Sequence, residues 1–512
     1  VVVLTSLVVI GSAYISLHAA EWVRSWLSEQ YKSDVDLKTF DVSIPFPLVQ
    51  AKGEGLILHF KGRPELPPLI AIDRFTVRTS FWGLIRGRKN IEFVRLEGFR
   101  INIPPRSTTA SSSDARSGIR KFVGKIRAVR FREIISDNAV LRILTTKPGK
   151  DPLTFDIKHL TLSSTDVDGQ LAFHAKLTNP TPPGEIDSTG IFGPWNPDTP
   201  SLTPVSGNYT FENADLGVFR GIQGTLSSKG NYWGALEEIQ AEGSTETPNF
   251  QITRVGHPVS LSTKYQATVD GTDGDTYLHP VEVRFRNTAL ICEGNIEGTS
   301  GKKGKTITLN VSTENAKIED LLELAVKQQS LMSGPIRLKT KYVLEPGHEE
   351  IMERLKLDGS FELDSVHFTN STVQQRLDNM SKRSLGKPSQ VVSPQNATRM
   401  DDIASGMIGR FRLDRATLTL SSLKFEIPGA LVQLHGNYRV DAEELDLHGT
   451  LAMRAKLSQT VTGIKSFLLK PLDPFFSKHG NGTFLPIKIT GPPQHPRYGP
   501  DFGHKETADK SQ

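Results

Sequence analysis

Residues 298–306, Gly-Thr-Ser-Gly-Lys-Lys-Gly-Lys-Thr, carry the composition of a loop that could wrap a phosphate. Such a loop needs a glycine five places before the second glycine, and a helix behind it whose N-terminus faces the anion. Here position 299 is Thr, and residues 307–311, Ile-Thr-Leu-Asn-Val, alternate as a strand does. The stretch reads as a hairpin turn. The thirteen histidines are scattered, and His257, His279, His435, His448 and His495 each stand beside Gly or Pro. No His pair at helical spacing brackets a Glu, and no Gly-x-Ser-x-Gly elbow occurs. The carboxylate pairs Glu237-Glu238 and Asp401-Asp402 are adjacent in loop-like contexts, which suits hydration better than acid–base work. Cys292 is the single cysteine, so an intramolecular disulfide and a thiolate zinc site are both excluded. It follows Ala289, Leu290 and Ile291 and reads as a small core residue. Asn208, Asn310, Asn370, Asn396 and Asn481 head Asn-x-Ser/Thr sequons. These residues outline no catalytic, metal or cofactor site, and the expectation is a protein that is not an enzyme.

The dominant pattern is instead apolar alternation. In residues 409–491 it runs through Ala416, Leu418 and Leu420, then Leu423, Phe425 and Ile427, then Leu445, Leu447, Leu451 and Met453, and finally Leu485, Ile487 and Ile489. Period two over four to seven residues marks strands with one apolar face. Ser421-Ser422, Pro428-Gly429, His435-Gly436-Asn437 and His448-Gly449 carry turn chemistry between the runs. This predicts an antiparallel meander of short strands.

The whole chain divides by pattern. Residues 1–20 lack Lys, Arg, Asp and Glu and are long enough for a transmembrane anchor, with a cleaved signal peptide as the competing reading. Residues 21–32 continue as a juxtamembrane helix, with Trp22 and Trp26 placed for a membrane interface. Residues 33–178 form a first β region, with a short helical turn at 80–88 and two strands hinged near Gly98. Within it, seven basic residues from Arg116 to Arg132 read either as a headgroup-binding patch or as the wet face of a strand. Residues 179–204 hold seven prolines and are predicted to be a crossover loop. Residues 205–368 return to strands, interrupted by a helix at 315–329 with Asn315 as its cap. Residues 369–404 begin as a helix and continue into a polar insertion, 405–502 form the C-terminal β region, and 503–512 are a charged tail.

Two blocks resemble the AsmA-like family of bacterial envelope proteins. In the C-terminal one the strand ladder, the Pro428-Gly429 turn, an apolar helix at 465–476 and the strand 485–491 before His495-Pro496 follow the family's order. In the N-terminal one, Leu84 to Arg88 and the pattern from Val94 to Ile103 are similar to the family's opening segment. The resemblance implies a bridge-like lipid-transfer protein: anchored in the bacterial inner membrane, projecting into the periplasm and carrying phospholipid toward the outer membrane.

The expected architecture is therefore mainly β: one elongated, curled antiparallel sheet forming a groove, a few short helices and one N-terminal transmembrane helix. Leu418, Leu420, Phe425, Ile427, Leu447 and Leu451 are the candidate groove residues, with ordinary core packing as their other reading. Lys plus Arg exceed Asp plus Glu by 61 to 56, a balance too even and too dispersed for nucleic-acid binding. Membrane lipids and envelope proteins are the expected partners. An assembly scaffold that carries no lipid is the alternative function.

Overall fold

The computed structural model describes residues 20–21, 23–29, 34–60, 66–86, 90–103, 129–144, 152–167, 169–196, 199–299, 304–327, 329–388, 405–462, 470, 473, 476 and 482–501. The expected anchor lies outside the described residues except for Ala20, as do Trp22, most of the 465–476 helix and the insertion beyond residue 388. Among the described residues no helix is long and apolar enough to cross a membrane.

Strands dominate, and 27 of them join into one large curled sheet. From Ile134–Ile143 to Arg497–Pro500 it is a meander in which each long strand pairs antiparallel with the next. The departure from this rule lies near the N-terminus, where Phe93–Glu97 and Arg100–Ile103 pair in parallel with Ile134–Ile143. A parallel pair needs a long return connection, and the chain between 103 and 134 provides it. Strands Val35–Asp36 and Thr39–Ser43 edge the sheet at one end and Arg497–Pro500 at the other, each paired on one side. Among the described residues the sheet is thus open, not closed into a barrel.

Buried apolar side chains gather mainly at the two ends. Leu37, Phe75, Leu96, Ile157 and Ala175 belong to an N-terminal cluster, against which Ala20 and Val23 of the first helix also pack. Ile336, Leu363, Phe425, Val432, Leu434 and Leu447 belong to a C-terminal one. Trp26 is half-buried, while Arg24 donates to the carbonyl of Leu37 at 3.1 Å and seats that helix on the sheet.

Several expected turns prove to be strand interior. Leu418 to Ile427 is one strand, Thr417–Ile427, and Ser421-Ser422 is a β-bulge inside it. One extra residue shifts the alternation by one position, so Leu418 and Leu420 share a face with Leu423, Phe425 and Ile427. Ala416 is not part of the run; with Arg415 it forms a two-residue hairpin turn, both at positive φ. His435 and His448 face each other across the paired strands Ala430–Arg439 and Glu444–Met453. Gly436 and Gly449 are needed there because a Cβ would collide with the carbonyl oxygens of Asp446 and Gln433. The Pro428-Gly429 turn is as expected: Ile427 pairs with Ala430, and Gly429 takes φ +87°, which the third position of a type II turn demands.

The proline-rich segment holds a ten-residue strand, Pro183–Phe192, because its prolines fall at the strand's ends and turns and leave the interior free to pair on both sides. The helix expected at 315–329 is shorter, Ile318–Ala325, and Asn315 belongs to the preceding strand, Lys305–Lys317. Gly298 pairs with Lys305, so the lysine-rich stretch is a hairpin connection.

One repeat escaped the sequence reading. Glu212-Asn213-Ala214 and Glu314-Asn315-Ala316 each lie at a bulge near a strand's end, and both alanines are fully buried. Each is followed by a short helical element, Leu216–Val218 or Ile318–Ala325. A two-residue strand then leads into the next long strand across Gly224 or Gly334, at φ +142° and +145°.

Candidate functional site

The inner face of the C-terminal strands is built by the bulge just described. With the alternation corrected at Ser421-Ser422, Phe425 stands in line with Val432 and Leu451, Leu423 stands beside Leu434, and Leu447, opposite Gly436, continues the row of Leu420 on the same face. Ile487 and Ile489 extend the same wall on Thr483–Gly491. Two helices lie across it. In Ser371–Ser384, Val373, Leu377 and Met380 recur at i, i+4 and i+7, the spacing of one helical face. In Ile318–Ala325, Leu322 and Ala325 stand at i and i+3, also on one face.

Between wall and helices lies a chamber of about 800 Å³ with a predominantly apolar lining. Cavities of roughly 300–1,000 Å³ are the size range of small-molecule and cofactor sites. Phe425 anchors the sheet side; its ring meets Phe368 edge-on at 6.0 Å between centroids. Lys327, Gln329, Asn370, Arg376, Glu443, Lys488 and Gln494 contribute polar groups to the lining, and Lys327 and Arg376 are solvent-exposed. Neither cation forms an ion pair with another described residue. Tyr438 also borders the space, and burial pushes its hydroxyl pKa up. Among the described residues, no three His, Cys, Asp or Glu side chains are grouped to hold a metal ion.

Of the six residues singled out from the sequence, Phe425, Leu447 and Leu451 line the chamber. Leu420 and Ile427 are buried on the same face within the apolar cluster, and Leu418 packs against that cluster and against a smaller one around Leu413. The sequence reading missed Leu434, Leu445 and Ile487 as lining residues, although the same alternation carries them. It also missed Val373, Leu377 and Met380, whose helical spacing was legible but whose placement over the sheet was not. Cys292 is buried on the inner face between Val281 and Val311, and burial lifts its thiol pKa to about 11. That environment keeps the sulfur protonated and unreactive near neutral pH.

Compared with known proteins, the chain matches no family model and no curated protein.

Proposed function

We propose that this chain is a lipid-binding and lipid-transfer protein of the bacterial envelope, held in the inner membrane by residues 1–20, with its sheet in the periplasm. The observation that carries the reading is the C-terminal chamber: about 800 Å³ of mainly apolar space between an open sheet and two amphipathic helices. Burial there stabilises an acyl chain by roughly 0.8 kcal/mol per CH₂. The exposed Lys327 and Arg376 supply positive charge where a phosphate headgroup would remain in water. The resemblance of the two terminal blocks to AsmA-like proteins supports the same reading, and with it a part in outer-membrane lipid supply.

The test is native mass spectrometry with lipid extraction on the full chain in mild detergent. Co-purifying phospholipid is expected. It is lost in the Leu445→Asp/Leu451→Asp double variant and kept in Ile408→Asp, whose side chain is 52% exposed. A folded protein that carries no lipid makes the chain a scaffold that assists envelope assembly without transport.

A further inference from the structure

The inner face does not stay apolar along the sheet. Between the two buried clusters, five successive long strands run from Pro183 to Val269: Pro183–Phe192, Pro204–Asp215, Thr225–Ala235, Glu238–Ile252 and Val259–Val269. Register puts Ser188, Tyr209, Gly230, Gly243 and Tyr265 in one cross-strand row. Burial alternates along Thr225–Ala235 so that Ser228, Gly230 and Tyr232 face inward while Lys229, Asn231 and Trp233 face out. The middle inward positions of this span thus carry hydroxyls and glycines, with Phe192, Val205, Ile239 and Val269 in a row along one margin, where the C-terminal strands carry Leu, Ile and Phe across the face.

These hydroxyls bond to one another. Tyr209 Oη meets Tyr265 Oη, and it also lies 2.9 Å from Ser228 Oγ. Ser228 donates to the Ser244 carbonyl at 3.1 Å. Ser188 Oγ lies 2.8 Å from Tyr232 Oη and donates to the Asn208 carbonyl at 2.9 Å. Thr245 and Thr263 pair at 2.7 Å. The phenol rings lie over glycines: a Cβ at Gly207 or at Gly243 would come within 2.8 Å of the Oη of Tyr232 or Tyr265. Burial raises the pKa of both tyrosines, so the network stays neutral. At ~4.8 Å per strand, five strands give ~24 Å of sheet along which these rings and hydroxyls occupy the middle of the inner face.

Resting on the lipid reading above, we infer that this hydroxyl belt divides the inner face, so that acyl chains bound in the C-terminal chamber do not continue toward the N-terminal cluster. An acyl chain laid over the belt would strip water from hydroxyls and offer them no hydrogen bond in return. It would also have to displace rings already packed on the sheet. The protein then holds its apolar ligand at one end, in a bounded site, and does not carry a continuous file of lipid along the sheet.

The experiment places a benzophenone-bearing phenylalanine at Leu445 in the chamber or at Tyr232 in the belt. The full chain is irradiated in phospholipid membranes, and lipid adducts are quantified by mass spectrometry, using only variants that melt like the parent. Adducts at 445 should exceed those at 232 by at least about tenfold, the scale set by dehydrating one hydroxyl. Adding Tyr209→Phe and Tyr265→Phe, which keep both rings, should raise the yield at 232 several-fold. Equal yields at the two positions in the parent sequence overturn the partition and leave the lipid reading intact. No adduct at 445 removes the lipid reading, and the partition with it.

Discussion

Single side chains decide how the last strand is held. His448 lies with Nδ1 2.6 Å from the Asp501 carboxylate and Nε2 3.1 Å from that of Asp446. The hydrogen bond to Asp501, then that to Asp446, raises the imidazole pKa above its ordinary value. A group with a raised folded pKa contributes stability that is complete below its unfolded pKa, about 6.5, and lost as pH climbs through the folded value. Asp501 directly follows the edge strand Arg497–Pro500, so that strand should loosen on the alkaline side. Amide exchange in residues 497–501, corrected for its intrinsic rate, should show less protection at about pH 9 than at about pH 6. In His448→Asn the difference should vanish; a pH response that persists there assigns the effect elsewhere.

At the scale of elements, the bulge at Ser421-Ser422 keeps two apolar runs on one face. Deleting Ser421 restores strict alternation and forces one run outward. The smaller loss is Leu418 with Leu420, at ~1.5–3 kcal/mol for each leucine exposed, or about 3–6 kcal/mol together. Chemical denaturation of the deletion variant should show that loss, and a change below about 1 kcal/mol would mean that the two runs do not share a face. The same serines mark the limit of what the sequence made legible. Period-two runs gave the β class and most strand positions, and Pro428-Gly429 gave a true turn. Ser421-Ser422 and His435-Gly436 look like turns because bulges and close backbone approaches recruit the same small and polar residues that turns do. Which of these a given pair serves depends on the neighbouring strand, and a single strand's sequence does not contain that information. The chamber was half legible for the same reason: Phe425, Leu447 and Leu451 alternate visibly, while the helix residues Val373, Leu377 and Met380 meet them only in three dimensions.

The molecule as a whole is bound together step by step. The long strands meet chiefly their neighbours in the sheet, and the main buried clusters lie at opposite ends. Stability in such an array is close to a sum of local terms and nearest-neighbour interfaces. Leu434→Ala, deep in the C-terminal cluster, should cost about 2–5 kcal/mol there. Hydrogen exchange should locate that loss in residues 405–500 and leave strands 70–103 unchanged. A uniform loss across the chain would show a single cooperative unit in its place.

The repeated Glu-Asn-Ala bulge bears on how such a chain can grow. Its two copies lie six strands apart, so both run in the same direction and present the same face. Duplicating an even number of strands leaves every downstream strand pointing as before, with its apolar side inward and its loops at the same margin. An odd insertion would reverse the direction of everything that follows and carry the helices over the chamber to the opposite rim. Length in this architecture is therefore quantised in pairs of strands, and a relative with a longer or shorter sheet should differ from this one by whole hairpins.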